Sequence, residues 1–425
     1  MDRNVTSQAP KIKRCSRLVP PNPVDNHAAR PLNAYMDLHA RYPGLSDLKA
    51  RARKRIPHFV FEYLDSGTGS EATTRRNREK LDEVLFMPSI LHGPQSPDLS
   101  VNLVGKVLPL PFGIAPVGLS GLMWPNAEYL LAQEAARAGI PYGLSTVASQ
   151  TPEHVAPVLG EHGWFQLYPP KDAGIRRDML KRVKDAGFSA VAMTVDVPVA
   201  SRRERQTRSG LTHPPRMTPR ILAQIAQRPN WALNLWRHGT PRMRFLDSYM
   251  QDNRSLPPTE HIGYLLRTSP DMSYVRAVRE EWDGLFFLKG VLDPEQAKTL
   301  ADEGVDGLWV SNHAGRQFDG APSTIEMLPA LRAATDLPII FDSGVEGGLD
   351  ILRALALGAD FVMMGRAWHF ALAALGPAGP AHLTDMLTRD LIANLGQIGV
   401  ERLSDLPRRL LPLPAGFARQ SVSRA

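Results

Sequence analysis

Eight short apolar runs, separated by stretches with helical periodicity, constrain this chain more than any other feature. They are FGIAP (112–116), YGLST (142–146), WFQLY (164–168), AVAMTVD (190–196), LFFLK (285–289), GLWVSN (307–312), PIIFDSG (338–344) and FVMMG (361–365). A strand with one wet face alternates apolar and polar residues. These runs do not alternate, so both faces must be covered, as in a parallel sheet wrapped by helices. The segments between them carry helix punctuation. NAEYLLAQEAARAG stops at Gly139 and RRDMLKRVKDAG at Gly187, Asp293-Pro294 has the form of a cap followed by a first-turn proline, and Ser323 with Glu326 has capping-box spacing. The expected fold is α/β, a (β/α)8 TIM barrel.

Upstream, residues 1–45 read as an extended arm. Residues 46–109 read as a helical segment and barrel entry, with helices over 46–66 that end at SGTGS. The barrel is expected over 110–400 and a tail over 401–425. About ninety residues (197–284) part the fourth and fifth strands, too many for an ordinary crossover. This proline-rich insertion, about 205–281, reads as an excursion from the barrel.

Charge is unevenly spread. Of the net +7, residues 202–244 hold a local +9 (ten arginines against Glu204) and residues 1–30 a local +4, which leaves −6 on the rest. A globally basic nucleic-acid binder is disfavoured, while the two basic segments suit an anionic surface such as a membrane. No apolar run is long enough to span a bilayer, and the N-terminus has no apolar core of a secretory signal. The single cysteine, Cys15, excludes a disulfide framework and cysteine-held metal sites, so a cytoplasmic setting is expected.

Barrel enzymes draw their chemistry from the C-terminal ends of the strands. Here those ends are polar throughout: Ser145, Gln166, Tyr168, Thr194, Asp196, Lys289, Asn312, His313, Arg316, Asp342, Ser343, Gly365 and Arg366. Any one of them reads as an ordinary satisfied strand-end residue; the whole rim does not. His313 suits a base, Asp196 a partner for its ring, and Arg316 an anion site.

The segments FEYLDSGTGSEATTRRN, IAPVGLSG, LST, FQLY, TVDVPVASRRE, LKG, SNHAGRQFD, DSG and MMGRA follow one another in an order that resembles the FMN-dependent 2-hydroxy-acid dehydrogenase and oxidase family over roughly residues 46–400. The resemblance implies FMN as cofactor and oxidation of an (S)-2-hydroxy acid to the 2-oxo acid. It implies His313 as the base, with Asp196 beside it, and Tyr168 on the reacting oxygen. Arg203, Arg316 and Tyr63 would hold the substrate carboxylate, the guanidinium fork matching it bidentately. Whether the α-hydrogen leaves as hydride or His313 takes it as a proton stays open. For the flavin, the resemblance implies backbone at Pro116, Val117 and Gly118, the side chains of Ser145, Gln166, Thr194, Lys289, Ser311 and Asp342, and a phosphate site at Gly344, Gly365 and Arg366.

Two positions depart from the family pattern. After DSG most members carry arginine, where this chain has Glu346 and Gly347; Ala314 stands where most have glycine. The first departure leaves the phosphate to Arg366 and backbone amides. Val147, in place of the tryptophan of glycolate oxidases, leaves room for L-lactate or a somewhat larger acid. The excursion resembles bacterial membrane-associated L-lactate dehydrogenases, which implies a quinone or cytochrome as acceptor and a peripheral site on the inner face of the membrane. Trp231 and Trp236, with Ile221, Leu222, Ile225, Leu233 and Leu235, suit either shallow bilayer insertion or a lid packed inward, and Pro229 breaks the helix. A homotetramer is expected. An oxygen-using oxidase, a flavin-barrel isomerase and a non-catalytic, flavin-free homologue remain as alternatives.

Overall fold

Strands that are apolar on both faces demand cover on both, and closing the sheet on itself supplies it. The computed structural model describes residues 38–211, 217–250 and 268–417. An antiparallel pair, β1 (Val101–Leu103) and β2 (Lys106–Leu108), precedes the barrel. Eight parallel strands then close in the order β10-β3-β4-β5-β6-β7-β8-β9. They are β3 (Phe112–Ile114), β4 (Tyr142–Ser145), β5 (Gly163–Leu167), β6 (Ala190–Thr194), β7 (Leu285–Val291), β8 (Gly307–Val310), β9 (Ile339–Phe341) and β10 (Phe361–Met364). Each coincides with one of the eight apolar runs to within a few residues, and the fold is the (β/α)8 barrel.

Helix boundaries follow the expected chemistry. The Ala127–Ala138 helix ends at Gly139 in the left-handed region (φ 67°), where a side chain is strained. The Asp293 side chain caps the Pro294–Leu300 helix, and Ser323 and Glu326 form a reciprocal capping box. Helix Leu45–Arg55 packs on the Arg366–Leu375 helix that follows the last strand, and helix His58–Asp65 meets the excursion helices Glu204–Ser209 and Pro219–Ala226. The extended arm of residues 1–45 lies largely outside the described residues, although residues 38–41 are helical rather than extended. Of the tail, residues 401–417 run back over the segment before the barrel, through bridges Phe86↔Leu410 and Asp98↔Arg402.

The two-residue period of a strand builds the site. Inside the barrel, Trp164, Ala192, Phe287, Trp309, Ile340 and Met363 form an apolar cluster, sealed at the N-terminal end by Leu103 and Leu108 of the β1–β2 pair. Two residues further along the same strands, the same inward face carries Gln166, Thr194, Lys289, Ser311, Asp342 and Gly365. One register therefore fills the core below and presents polar groups at the mouth.

Between β6 and β7 the excursion folds as short helices, including Pro219–Ala226 and Pro229–His238, with Pro229 at the first turn of the second, where its missing N–H costs nothing. Trp231 is buried and its indole N–H donates to the Leu122 carbonyl at 3.0 Å, while Trp236 is 81% exposed. Trp231 therefore packs inward, and Trp236 stays on the surface.

Candidate active site

The barrel mouth opens into a cavity of about 560 Å3. His313 lies just beyond β8 on a left-handed turn (φ 54°), its amide held by Ser311 Oγ at 3.1 Å. Its Nδ1 is 3.1 Å from Asp196 Oδ1 and its Nε2 is 3.5 Å from the Tyr168 hydroxyl. Burial pushes the imidazole below its ordinary range, more than the facing Asp196 lifts it. For Asp196 the order reverses. Burial pushes its carboxyl up, but His313 and then Lys289 outweigh that and hold it below the usual range. Asp196 can stand this close to β7 because Gly290 (φ 111°) has no β-carbon; one there would be 2.5 Å from Asp196 Cβ.

Opposite His313, two guanidiniums share the cavity. Arg203 donates through Nε to Ser201 Oγ at 3.0 Å. Arg316 is fixed by the carbonyls of Tyr63 (2.8 Å), Leu64 (3.2 Å) and Ser66 (2.5 Å). Burial and then the neighbouring Arg203 push Arg316 down to about 9, as expected of two cations close together in a desolvated site. The Tyr63 hydroxyl donates to the Gly118 carbonyl at 3.0 Å, and desolvation first of all raises the pKa of both Tyr63 and Tyr168. Both phenols therefore stay protonated and able to donate. Val147 and, from the excursion, Met243 supply apolar wall.

A polar ladder crosses the mouth: Ser145 Oγ donates to Gln166 Oε1 at 2.8 Å, and Gln166 Nε2 to Thr194 Oγ1 at 2.9 Å. Beside it the buried Lys289 ammonium bonds Ser311 Oγ (2.7 Å) and pairs with Asp342 (3.0 Å), whose carboxylate also accepts from the Trp309 indole at 2.8 Å. Pro116, Val117, Gly118, Gly344, Gly365 and Arg366 complete the lining. Of the residues expected at the site, Asp196 and Ser311 do not line the cavity: Asp196 pairs with His313, and Ser311 bonds the Lys289 ammonium and the His313 amide.

Three participants carry no signal in the sequence: Asn77, Met243 and Trp309. Asn77 and Asn312 exchange amide hydrogen bonds (2.9 and 2.7 Å), tying the Ala72–Asp82 helix to the His313 turn. Met243 and Trp309 were read as neither pocket nor support. Nothing local marks them: each is an ordinary apolar or amide residue until the fold brings it to the mouth.

A closed (β/α)8 barrel with one polar rim over one cavity is the frame of a barrel enzyme. Over residues 52–412 the sequence matches the FMN-dependent dehydrogenase family, and the chain belongs to that family. It is 38% identical over 367 residues to an L-lactate dehydrogenase of Acinetobacter baumannii, covering 85% of this chain and 95% of that one. With an L-lactate dehydrogenase of Serratia proteamaculans the identity is 39% over 367 residues, covering 85% and 96%. Among solved structures it is similar to the monotopic membrane protein (S)-mandelate dehydrogenase (TM-score 0.82, 32% identity, 87% and 98% covered). It is also similar to mandelate oxidase (TM-score 0.73, 32% identity, 87% and 98% covered). The family's cofactor is FMN and its members oxidise 2-hydroxy acids. The cavity fits that cofactor: the ladder of Ser145, Gln166 and Thr194 and the buried Lys289 ammonium offer hydrogen-bond partners and a cation that would suit the polar edge of a flavin ring.

Proposed function

We propose that this chain oxidises L-lactate or a somewhat larger (S)-2-hydroxy acid to the 2-oxo acid, with His313 as base. The observation that carries the reading is the convergence of His313–Asp196, Tyr168, Arg203 and Arg316 on one cavity. The two guanidiniums bind the substrate carboxylate and turn its C2 towards the cofactor face. Tyr168 donates to the hydroxyl oxygen, and His313 Nε2 takes the hydroxyl proton. The resulting imidazolium is held by Asp196, already charged at 3.1 Å. Bound FMN supplies the acceptor for the two electrons and the α-hydrogen that the substrate loses.

We also infer that the electrons leave to a quinone or cytochrome at a membrane, in a tetrameric assembly. The support is the likeness to a monotopic membrane enzyme and the outward apolar residues Leu222, Leu233 and Trp236 of the excursion among its arginines. No helix among the described residues is long and apolar enough to cross a membrane.

The test is the visible spectrum of the purified protein under anaerobic conditions with L-lactate, L-mandelate and a longer aliphatic hydroxy acid. Bleaching of the flavin band by at least one is expected, and its rate ranks them. His313→Gln should keep the flavin and lose about 10²–10⁴ of the rate. Bleaching at the wild-type rate in that variant would remove His313 from the mechanism.

A further inference from the structure

Phosphate in barrels of this kind sits against the loops after the last two strands. Here these are Gly344, after β9, and Gly365–Arg366, after β10, where the Arg366–Leu375 helix begins. Several cations line that end of the cavity, and most are already neutralised. Lys49 pairs with Asp65 at 2.5 Å. Arg205 is surrounded by Glu62 (2.7 Å), Asp65 (2.9 Å) and Glu71 (2.9 Å).

Arg78 has no donor left. A guanidinium has five N–H groups. Its Nε goes to Asp82 at 3.2 Å, Nη1 to the Gly344 carbonyl at 3.2 Å and to Asp350, and Nη2 to Asp82 and to Asp350 at 2.7 Å. Two of the loop amides are spent in the same way: Glu346 N–H donates to Asp350 at 2.9 Å and Gly348 N–H to Asp390 at 2.5 Å. Besides Arg316, which is anchored on the substrate side, two guanidiniums on the lining bond only backbone carbonyls among the described contacts, Arg366 (Asp65, 3.3 Å) and the exposed Arg75 (Ser70, 2.7 Å). Against them stands Glu346, exposed on the cavity rim, with no ion pair to its carboxylate among the described residues.

We propose that Glu346 cancels the pull of Arg366 on a phosphate, so that the site holds flavin by its ring and discriminates only weakly between FMN and riboflavin. A dianion placed here meets Arg366, the exposed Arg75 and one opposing carboxylate, where charge-assisted bonds would otherwise dominate its affinity. The ring contacts of the ladder, Lys289 and the Pro116–Gly118 backbone do not depend on the phosphate at all.

This inference rests on the cavity being the flavin site, and the experiment separates the two. Holoprotein is equilibrated with an equimolar excess of FMN and riboflavin, freed of unbound flavin, and its bound flavins are quantified by chromatography. Wild type should carry both, within about tenfold of each other. Glu346→Arg should shift the ratio towards FMN by about ten- to a hundredfold, the range of a charged hydrogen bond, and Glu346→Gln by less. A wild-type preference for FMN above about tenfold, or a ratio that Glu346→Arg leaves unchanged, would overturn the proposal and hand the phosphate to Arg75 and the backbone. A protein that retains neither flavin would overturn the cofactor assignment of the cavity itself.

Discussion

A proton acceptor must be neutral before it acts, so the environment of His313 sets the acid limit of the proposed reaction. Burial holds its ring below the ordinary value of about 6.5. The acid limb of kcat/KM should therefore fall below pH 6.5. Asp196 lifts that ring, so Asp196→Asn should lower the rate and move the limb to still lower pH; a limb that moves up would contradict the pairing. The next residue, Ala314, sits at φ 54° and is held by Ser343 Oγ at 3.1 Å. A β-carbon is strained in that region, and glycine there relieves the strain while loosening the unfolded chain. Ala314→Gly should raise the unfolding free energy by about 0.5–1 kcal/mol, measured by denaturant titration. The motif SNHAGRQFD made His313 and Arg316 visible without a structure, because base and guanidinium types stand out. It did not show that Arg316 is anchored on three carbonyls, since carbonyl positions depend on where the His58–Asp65 helix ends.

At the level of elements, strands could be read because uninterrupted apolar runs leave them few other fates. The β1–β2 pair could not: at three residues each, with Asn102 and Lys106 among them, it carries no period. The excursion shows a different limit. Trp231 and Trp236 are five residues apart, about 140° around a helix, so one face cannot hold both. Which of them points inward depends on docking: Trp231 meets the Leu122 carbonyl and packs edge-on against Phe59 at 6.0 Å. Trp231→Phe should weaken that docking and destabilise the fold by about 1 kcal/mol. Trp236→Ser should leave stability within about 0.5 kcal/mol and reduce cosedimentation with vesicles of anionic lipid. Equal vesicle binding by wild type and Trp236→Ser would count against the membrane-facing role.

Over the whole molecule, acid should act through the core before it reaches the surface. His369, fully buried on the Arg366–Leu375 helix against Ser120 and the Gly365 carbonyl, is pushed down by burial to about 4. Between pH 4 and 6.5 the unfolded chain binds a proton that the folded one refuses, so stability rises with pH across this window and falls on acidification. Melts at pH 7.5 and 5 should differ by about 2 kcal/mol from this group alone, with His313 acting in the same direction. A flat profile would mean that the ring is protonated in the fold. Barrel closure sets a final condition, one of timing. β10 pairs with β3, and Phe112 lies alongside Val362, so the first barrel strand finds its second neighbour only after some 250 further residues have been made. At the usual pace of synthesis that is roughly 10 to 50 s with an unpaired parallel edge on the nascent chain. On a ribosome, the interval in which this enzyme is most exposed to misassembly is therefore written into the order of its strands.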